Sequence, residues 1–234
     1  MTAVLQQRIP VLRNGDRLDA EEFLRRYEAM PEKCKAELIG GIVYLGGDMA
    51  SPVNAEDHGD PHARLITWLG MYAIDTTGVL VSDNATVTLG PGDVPQPDGS
   101  MRIVHRGRTT LDRGYIQRGP ELSAEVAASS VSIDRNAKLR AYRDEGIPEY
   151  VLWRTEDGAI DWFVLEAGQY VPLRPDPDGI LRSRVFPGLW LDGAAMVAGN
   201  MRRVREVLNL GVASPEHAAF VAARAAAERE SARA

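Results

Sequence analysis

A chain of 234 residues exceeds a minimal module and suits one moderately large domain with an appendage. Its 44% hydrophobic and 26% charged residues are the balance of a globular core, which excludes a disordered chain. The formal charge of −6 excludes a protein that coats nucleic acid nonspecifically through dense lysine and arginine. The single cysteine, Cys34, excludes an intramolecular disulfide framework and a zinc site of several thiolates, and it lacks a local signature of a nucleophile. MTAVLQQRIPVL has no basic n-region followed by an apolar run, and no segment approaches the ~18 uninterrupted apolar residues of a membrane span. A reducing, cytoplasmic setting is expected.

Leu18-Asp19-Ala20-Glu21-Glu22-Phe23 announces a short amphipathic helix running to about Met30. Asp19 is its N-cap, Glu22 closes a capping box, and Leu18 opposes Phe23 as a hydrophobic staple. Ala36-Glu37-Leu38-Ile39 and Ile42-Val43-Tyr44-Leu45 flank Gly40-Gly41, a two-residue loop suited to positive φ, so a hairpin follows. Gly46 to Asp60 reads as a loop. The helical spacing of Leu65, Ile66, Leu69 and Tyr72 then predicts a helix from about Pro61 to Asp75. Val79-Leu80-Val81 and Ala85 to Leu89 are strand-like, Gly90-Pro91-Gly92-Asp93 breaks the chain, and Asp98 opens a further strand.

Met101 to Arg118 holds Arg102, Arg106, Arg108, Arg113 and Arg118 against the single acid Asp112. It is either a solvated loop or an arm that contacts phosphates. Glu121 to Ala127 is a strand, Asp134 to Glu145 a helix stopped by Gly146, and Glu149 to Trp153 another strand. Strand, helix, strand in that order implies a crossover that sets the two strands parallel and adjacent. Ile160 to Leu165 and Tyr170 to Leu173 form a hairpin about Gly168. Met196 to Leu210 and Ser214 to Ala234 read as two helices, the second capped by Ser214; its alanine- and arginine-rich tail is either a frayed solvated helix or an oligomer contact. The domain reading is therefore 1–192 with a helical extension over 193–234.

The acids carry the chemistry. Alternation puts Glu125 on one strand face with Glu121, Ser123 and Ala127, and a carboxylate in the middle of a crossover strand is costly to bury unless a cation or partner compensates it. Asp98 lies at the start of its own strand. Together the two suit a hard divalent cation, which in phosphodiester hydrolysis neutralises a phosphate oxygen and activates water. Asp134, Lys138 and Tyr142 recur every four residues along one helix face. Lys138 is either half of a surface ion pair or an amine aimed at a scissile phosphate. His58 and His62 stand four residues apart, as a transition-metal pair or as helix-start residues.

The ordered set AEEFL, AELIGGIV, a histidine-led helix, QPDGSM, GPELSAEVAASS, the helix of Asp134, Lys138 and Tyr142, GIPEYVLW, GQYVPL and FPGLWLD resembles the Uma two family, within the restriction-endonuclease-like PD-(D/E)XK nuclease superfamily. The resemblance covers about Asp16 to Asp192. It implies that Asp98 and Glu125 bind the metal, with the carbonyl of Val126 as a third ligand. It also implies that Glu37 completes the site or binds a second ion, and that His62 begins the family's helix at the site. Superfamily members usually place the lysine two residues after the second acid, which here is Ala127. The family moves it to the next helix, where Lys138 matches. The bulkier apolar residue and Ser-Pro-Ser-Thr-like turn usual after that acid are replaced here by Ala127-Ala128-Ser129-Ser130-Val131, and the aromatic that often follows GIPEY by Val151.

The expected fold is a single α/β domain, a restriction-endonuclease-like core with a central mixed sheet flanked by helices, plus C-terminal helices. The expected activity is Mg²⁺- or Mn²⁺-dependent endonucleolytic hydrolysis of DNA. Asp98, Glu125, Lys138 and Glu37 form the catalytic set, Asp98, Glu125, Val126 and His62 hold the metal, and Arg102, Arg106 and Arg108 contact nucleic acid. DNA and a second copy of the chain, as in a homodimer, are the expected partners, without a membrane. The rival expectation is an inactive nuclease-fold protein acting as an interaction or regulatory module through its C-terminal helices.

Overall fold

The computed structural model describes residues 9–31, 34–46, 54–128 and 133–233. Helix α1 (Ala20–Tyr27) leads to strands β1 (Lys35–Ile39) and β2 (Ile42–Gly46), and a π-helical turn (Ala55–Gly59) runs straight into α2 (Asp60–Ile74). Strands β3 (Val79–Asp83), β4 (Val87–Thr88), β5 (Gly99–Ile103), β6 (Thr110–Asp112), β7 (Tyr115–Gln117) and β8 (Leu122–Ala127) follow. A second π-helical turn (Ile133–Lys138) continues as α3 (Leu139–Asp144). Next come β9 (Glu149–Arg154), β10 (Ala159–Glu166), β11 (Gln169–Pro172), β12 (Ile180–Arg182) and β13 (Trp190–Asp192), then α4 (Gly193–Val197), α5 (Met201–Val212) and α6 (Pro215–Ser231).

Six strands make the central mixed sheet in the order β11-β10-β9-β8-β5-β3. β8 and β9 are parallel, as the crossover expectation required, and every other neighbouring pair in this sheet is antiparallel. All six residues of β8 are buried because the strand is covered on both faces. On one face Leu122, Ala124 and Val126 pack with Val151 and Trp153 of β9 and with Leu65, Trp68, Leu69 and Tyr72 of α2. On the other, Ala127, Tyr150 and Leu152 pack with Ala141, Tyr142 and Ile147 around α3. The apolar stripe of α2 thus seats on one side of the sheet and the crossover helix on the opposite side. A side chain at Gly99 would come within 3.1 Å of Leu69 and 3.3 Å of Ile66, so this glycine lets α2 lie close beside Asp98.

Most local signals are realised. Asp19 caps α1 by accepting from the Glu22 backbone N–H at 2.8 Å, and the β1–β2 hairpin turns at Gly40 and Gly41, both at positive φ. The Glu22 carboxylate goes to Arg25 and Arg26, whose hydrogen bonds hold its pKa down to about 2. Other readings need correction. Met196 to Leu210 is two helices, because Gly199 takes φ +72° and Asn200 starts α5 by accepting from the Arg203 N–H. The stretch read as a loop or arm folds in part into the β6–β7 hairpin, whose β7 pairs in parallel with β4. β12 and β13 form an antiparallel pair where the residue pattern predicts no strand. The turn at residues 129–132 falls outside the described residues.

The helices beyond Asp192 share the principal core: Ala195, Met196, Val204 and Leu208 are buried with the residues of α2 and the sheet. Among the described residues no helix is long and apolar enough to cross a membrane.

Glu149 on β9 ties the chain before β13 to the sheet. It is fully buried and accepts from Ser183 Oγ at 2.8 Å and from the backbone N–H groups of Arg184 and Val185 at 2.6 and 3.2 Å. Burial pushes its carboxyl above the ordinary 4.5 despite these hydrogen bonds. The folded chain therefore holds this proton more tightly than the unfolded one, and stability falls as pH rises from 4.5 through the raised value. Glu149→Gln, which cannot ionise, is expected to flatten that decline in denaturant midpoints measured across the window. Parallel wild-type and variant curves would refute it.

Candidate active site

Asp98 and Glu125 come together through strand register. Gly99 pairs with Ala124 in the β5–β8 ladder, and Asp98 and Glu125 are the residues next to that pair, with Asp98 accepting from the neighbouring Val126 N–H. Both carboxylates are nearly inaccessible, at 4% and 2% exposure. Two acids buried beside one strand pair are unfavourable unless neighbours offset them.

Lys138 supplies part of that offset. At 3% exposure its ammonium lies 3.0 Å from Glu125 Oε1 and 3.0 Å from Glu37 Oε1. It sits at the end of the π-helical turn that enters α3, a distortion that recurs at functional positions. Four residues on, the buried Tyr142 donates its hydroxyl to the same Glu125 Oε1 at 2.7 Å. Burial, followed by the Glu125 charge, pushes the Tyr142 phenol well above its ordinary pKa, which keeps it a donor. The helix face that carries Lys138 and Tyr142 therefore points inward; the Asp134 side chain of the same reading lies outside the described residues.

Asp98 is held by backbone and base. Its Oδ2 accepts from the Val126 N–H at 2.8 Å, and Lys35 Nζ lies 3.5 Å from Oδ1 while also donating to Asn84 Oδ1 at 2.9 Å. The same Glu37 Oε1 also accepts from the Gln96 backbone N–H at 2.6 Å. Lys35 was missed from sequence, although it precedes Glu37 by two residues on β1 and so shares its strand face.

The histidines close the cluster from α2 and the turn before it. His62 Nε2 is 3.1 Å from the Asp98 carbonyl and 3.1 Å from Asp83 Oδ1. His58 Nδ1 is 3.2 Å from the Val126 carbonyl, and the two rings stack at 5.6 Å. His62 thus meets the backbone of Asp98, and its partner His58 meets the carbonyl expected to be a ligand. Among the described residues no three histidine, cysteine or acidic side chains converge into a ready cage for a metal. Cys34 is a half-buried free thiol.

The arginines of the expected DNA arm lie elsewhere. Arg102 sits on β5 four residues from Asp98, roughly 13 Å along an extended strand. The Arg106 guanidinium pairs with Glu230 of α6. Arg108 donates to the carbonyls of Glu145 and Gly146, capping the C-terminal end of α3, and its backbone N–H goes to Glu121. Glu121 is a structural acid, accepting from the Ile103 N–H as well. The fold does not bring these three arginines to the carboxylates.

The fold is a mixed sheet with helices on opposite faces, and it sets a lysine from the crossover segment against an acid of the preceding strand. The chain belongs to the Uma2 family, described as "Putative restriction endonuclease", whose profile matches residues 20–194. Its fold is similar to a crystal structure described as a putative nuclease of DUF820 from Anabaena variabilis, with a TM-score of 0.53 at 14% identity over 74% of this chain and 98% of that one. None of the curated proteins matches this chain. The family description points to a nuclease, and the structural likeness bears on the fold.

Proposed function

We propose that the protein is a divalent-metal-dependent endonuclease that hydrolyses DNA phosphodiester bonds. The observation that carries the reading is the burial of Asp98 and Glu125 beside the Gly99–Ala124 pair of β5 and β8, with the Lys138 ammonium at 3.0 Å from Glu125.

The donor chemistry fits Mg²⁺ or Mn²⁺. These hard ions take oxygen ligands, and Mg²⁺ commonly binds through one or two carboxylates while keeping several waters, a need that the two buried carboxylates could meet. Asp98 and Glu125 would hold the ion with the Val126 carbonyl, Glu37 assisting. When bound, such an ion neutralises a phosphate oxygen and lowers the pKa of water.

The chain's own residues do the rest. Lys138, fixed between Glu125 and Glu37, orients the attacking water and offsets negative charge developing on the phosphoryl oxygens. Tyr142 locks the Glu125 rotamer through its 2.7 Å hydrogen bond, and the Val126 N–H does the same for Asp98. His58 and His62 brace the backbone carbonyls on either side of the pair. DNA is the expected substrate.

Calorimetric titration with Mn²⁺ is expected to show binding to the wild type and its loss in Glu125→Gln. A wild type silent at millimolar Mn²⁺ would remove the metal from the reading.

A further inference from the structure

A groove between α2 and α5 is lined by Arg64, Arg202 and Arg205 together with Thr67, Met71 and Met201. In a chain of net charge −6 this concentration of guanidinium groups needs a reason. Arg202 and Arg205 are exposed and stand three residues apart on α5, a like-charge spacing that disfavours the helix. Arg203 between them pairs with Asp192 at 3.1 Å, whereas among the described residues none of the three groove arginines is in an ion pair.

Arg64 is held at the same place. A side chain at Gly199 would come within 3.2 Å of its guanidinium carbon, so the guanidinium lies over the glycine turn that precedes α5. The N-terminal end of α5, with the positive end of its helix dipole, therefore lies beside Arg64 and carries Arg202. Arginine forks match phosphate oxygens two at a time and are weakly hydrated, which suits a polyanion more than a single ion. His62, which touches the Asp98 carbonyl, precedes Arg64 by two residues on α2, so the two side chains leave the same helix on different faces.

We infer that this groove binds the phosphodiester backbone of duplex DNA outside the scissile position, with Arg64, Arg202 and Arg205 as phosphate contacts. This deepens the nuclease reading and rests on it. It moves the DNA-contacting role from Arg102, Arg106 and Arg108 to arginines that the sequence left scattered over two distant helices.

The test is fluorescence anisotropy of a labelled duplex with the full chain in Ca²⁺ over a series of salt concentrations, beside cleavage of the same duplex in Mn²⁺. Each phosphate contact contributes roughly 0.9 to the slope of log affinity against log salt, so Arg202→Gln with Arg205→Gln is expected to lower the slope by about 2 and Arg64→Gln by about 1. A wild type that cleaves while all variants keep its slope overturns the inference and leaves the nuclease reading standing. A wild type that binds with the arginine-dependent slope yet never cleaves supports the groove and sinks the nuclease reading. If neither binding nor cleavage is seen, both fall. Displacement of the duplex by poly-glutamate of equal charge, as effectively as by unlabelled DNA, would assign the groove to an acidic protein segment and overturn the DNA occupant.

Discussion

Asp98→Asn is expected to cut Mn²⁺-dependent nicking of supercoiled plasmid steeply while leaving the chain folded. The asparagine carbonyl can still accept the Val126 N–H that Asp98 Oδ2 accepts at 2.8 Å, so the sheet keeps its register. On the proposed reading the change removes one of the two carboxylates that would hold the ion, and an amide is a weak substitute for a carboxylate toward a hard cation. Lewis-acid stabilisation is worth several kcal/mol, so the rate is expected to fall on the order of 10³-fold. Thermal melting of wild type and variant controls for folding. Cleavage by the variant within a few-fold of wild type, with matching melts, would dismiss Asp98 as a ligand.

Lys138→Met is expected to produce the largest stability loss of any single change at the site. The ammonium lies 3.0 Å from both Glu125 and Glu37, and its removal strands two carboxylates in a pocket where Glu125 is 2% exposed. Breaking a buried ion pair from one side costs about 3–5 kcal/mol because the remaining charge is uncompensated. Adding Glu125→Gln to Lys138→Met should return part of that loss, since the stranded charge is then absent and a neutral side-chain oxygen still accepts from Tyr142. Urea denaturation of the two single variants and the double variant completes the cycle. A Lys138→Met midpoint close to wild type, or losses that simply add, would mean that the lysine is not coupled to Glu125.

Much of this architecture was legible in the residues. Asp19, Ser214 and the Gly40-Gly41 pair mark their helix starts and hairpin because capping and positive φ are satisfied within a few residues of chain. Glu125 was readable as a strand acid on the face opposite Leu122, Ala124 and Val126, since alternation is a property of the strand itself. The crossover between β8 and β9 followed from element order. Where the reading failed, a local cue was outweighed or overlooked: Gly199 and Asn200 split the helix expected over 196–210, and the β6–β7 hairpin forms within a stretch read mainly by its charge.

Local pattern by itself determined which residues would be capped, turned, extended or helical, and that two acids and a lysine would occupy elements able to converge. Only the tertiary structure decided that Asp98 is buried against the Val126 N–H next to Glu125, that Lys138 turns inward to Glu37 and Glu125 through a π-helical turn, that Arg108 caps α3, and that Arg64, Arg202 and Arg205 share one groove. The reason is physical: helix and strand periodicity are set by interactions a few residues apart. The site and the groove are set by sheet register and by helices packing on opposite faces, which depend on partners distant in the chain.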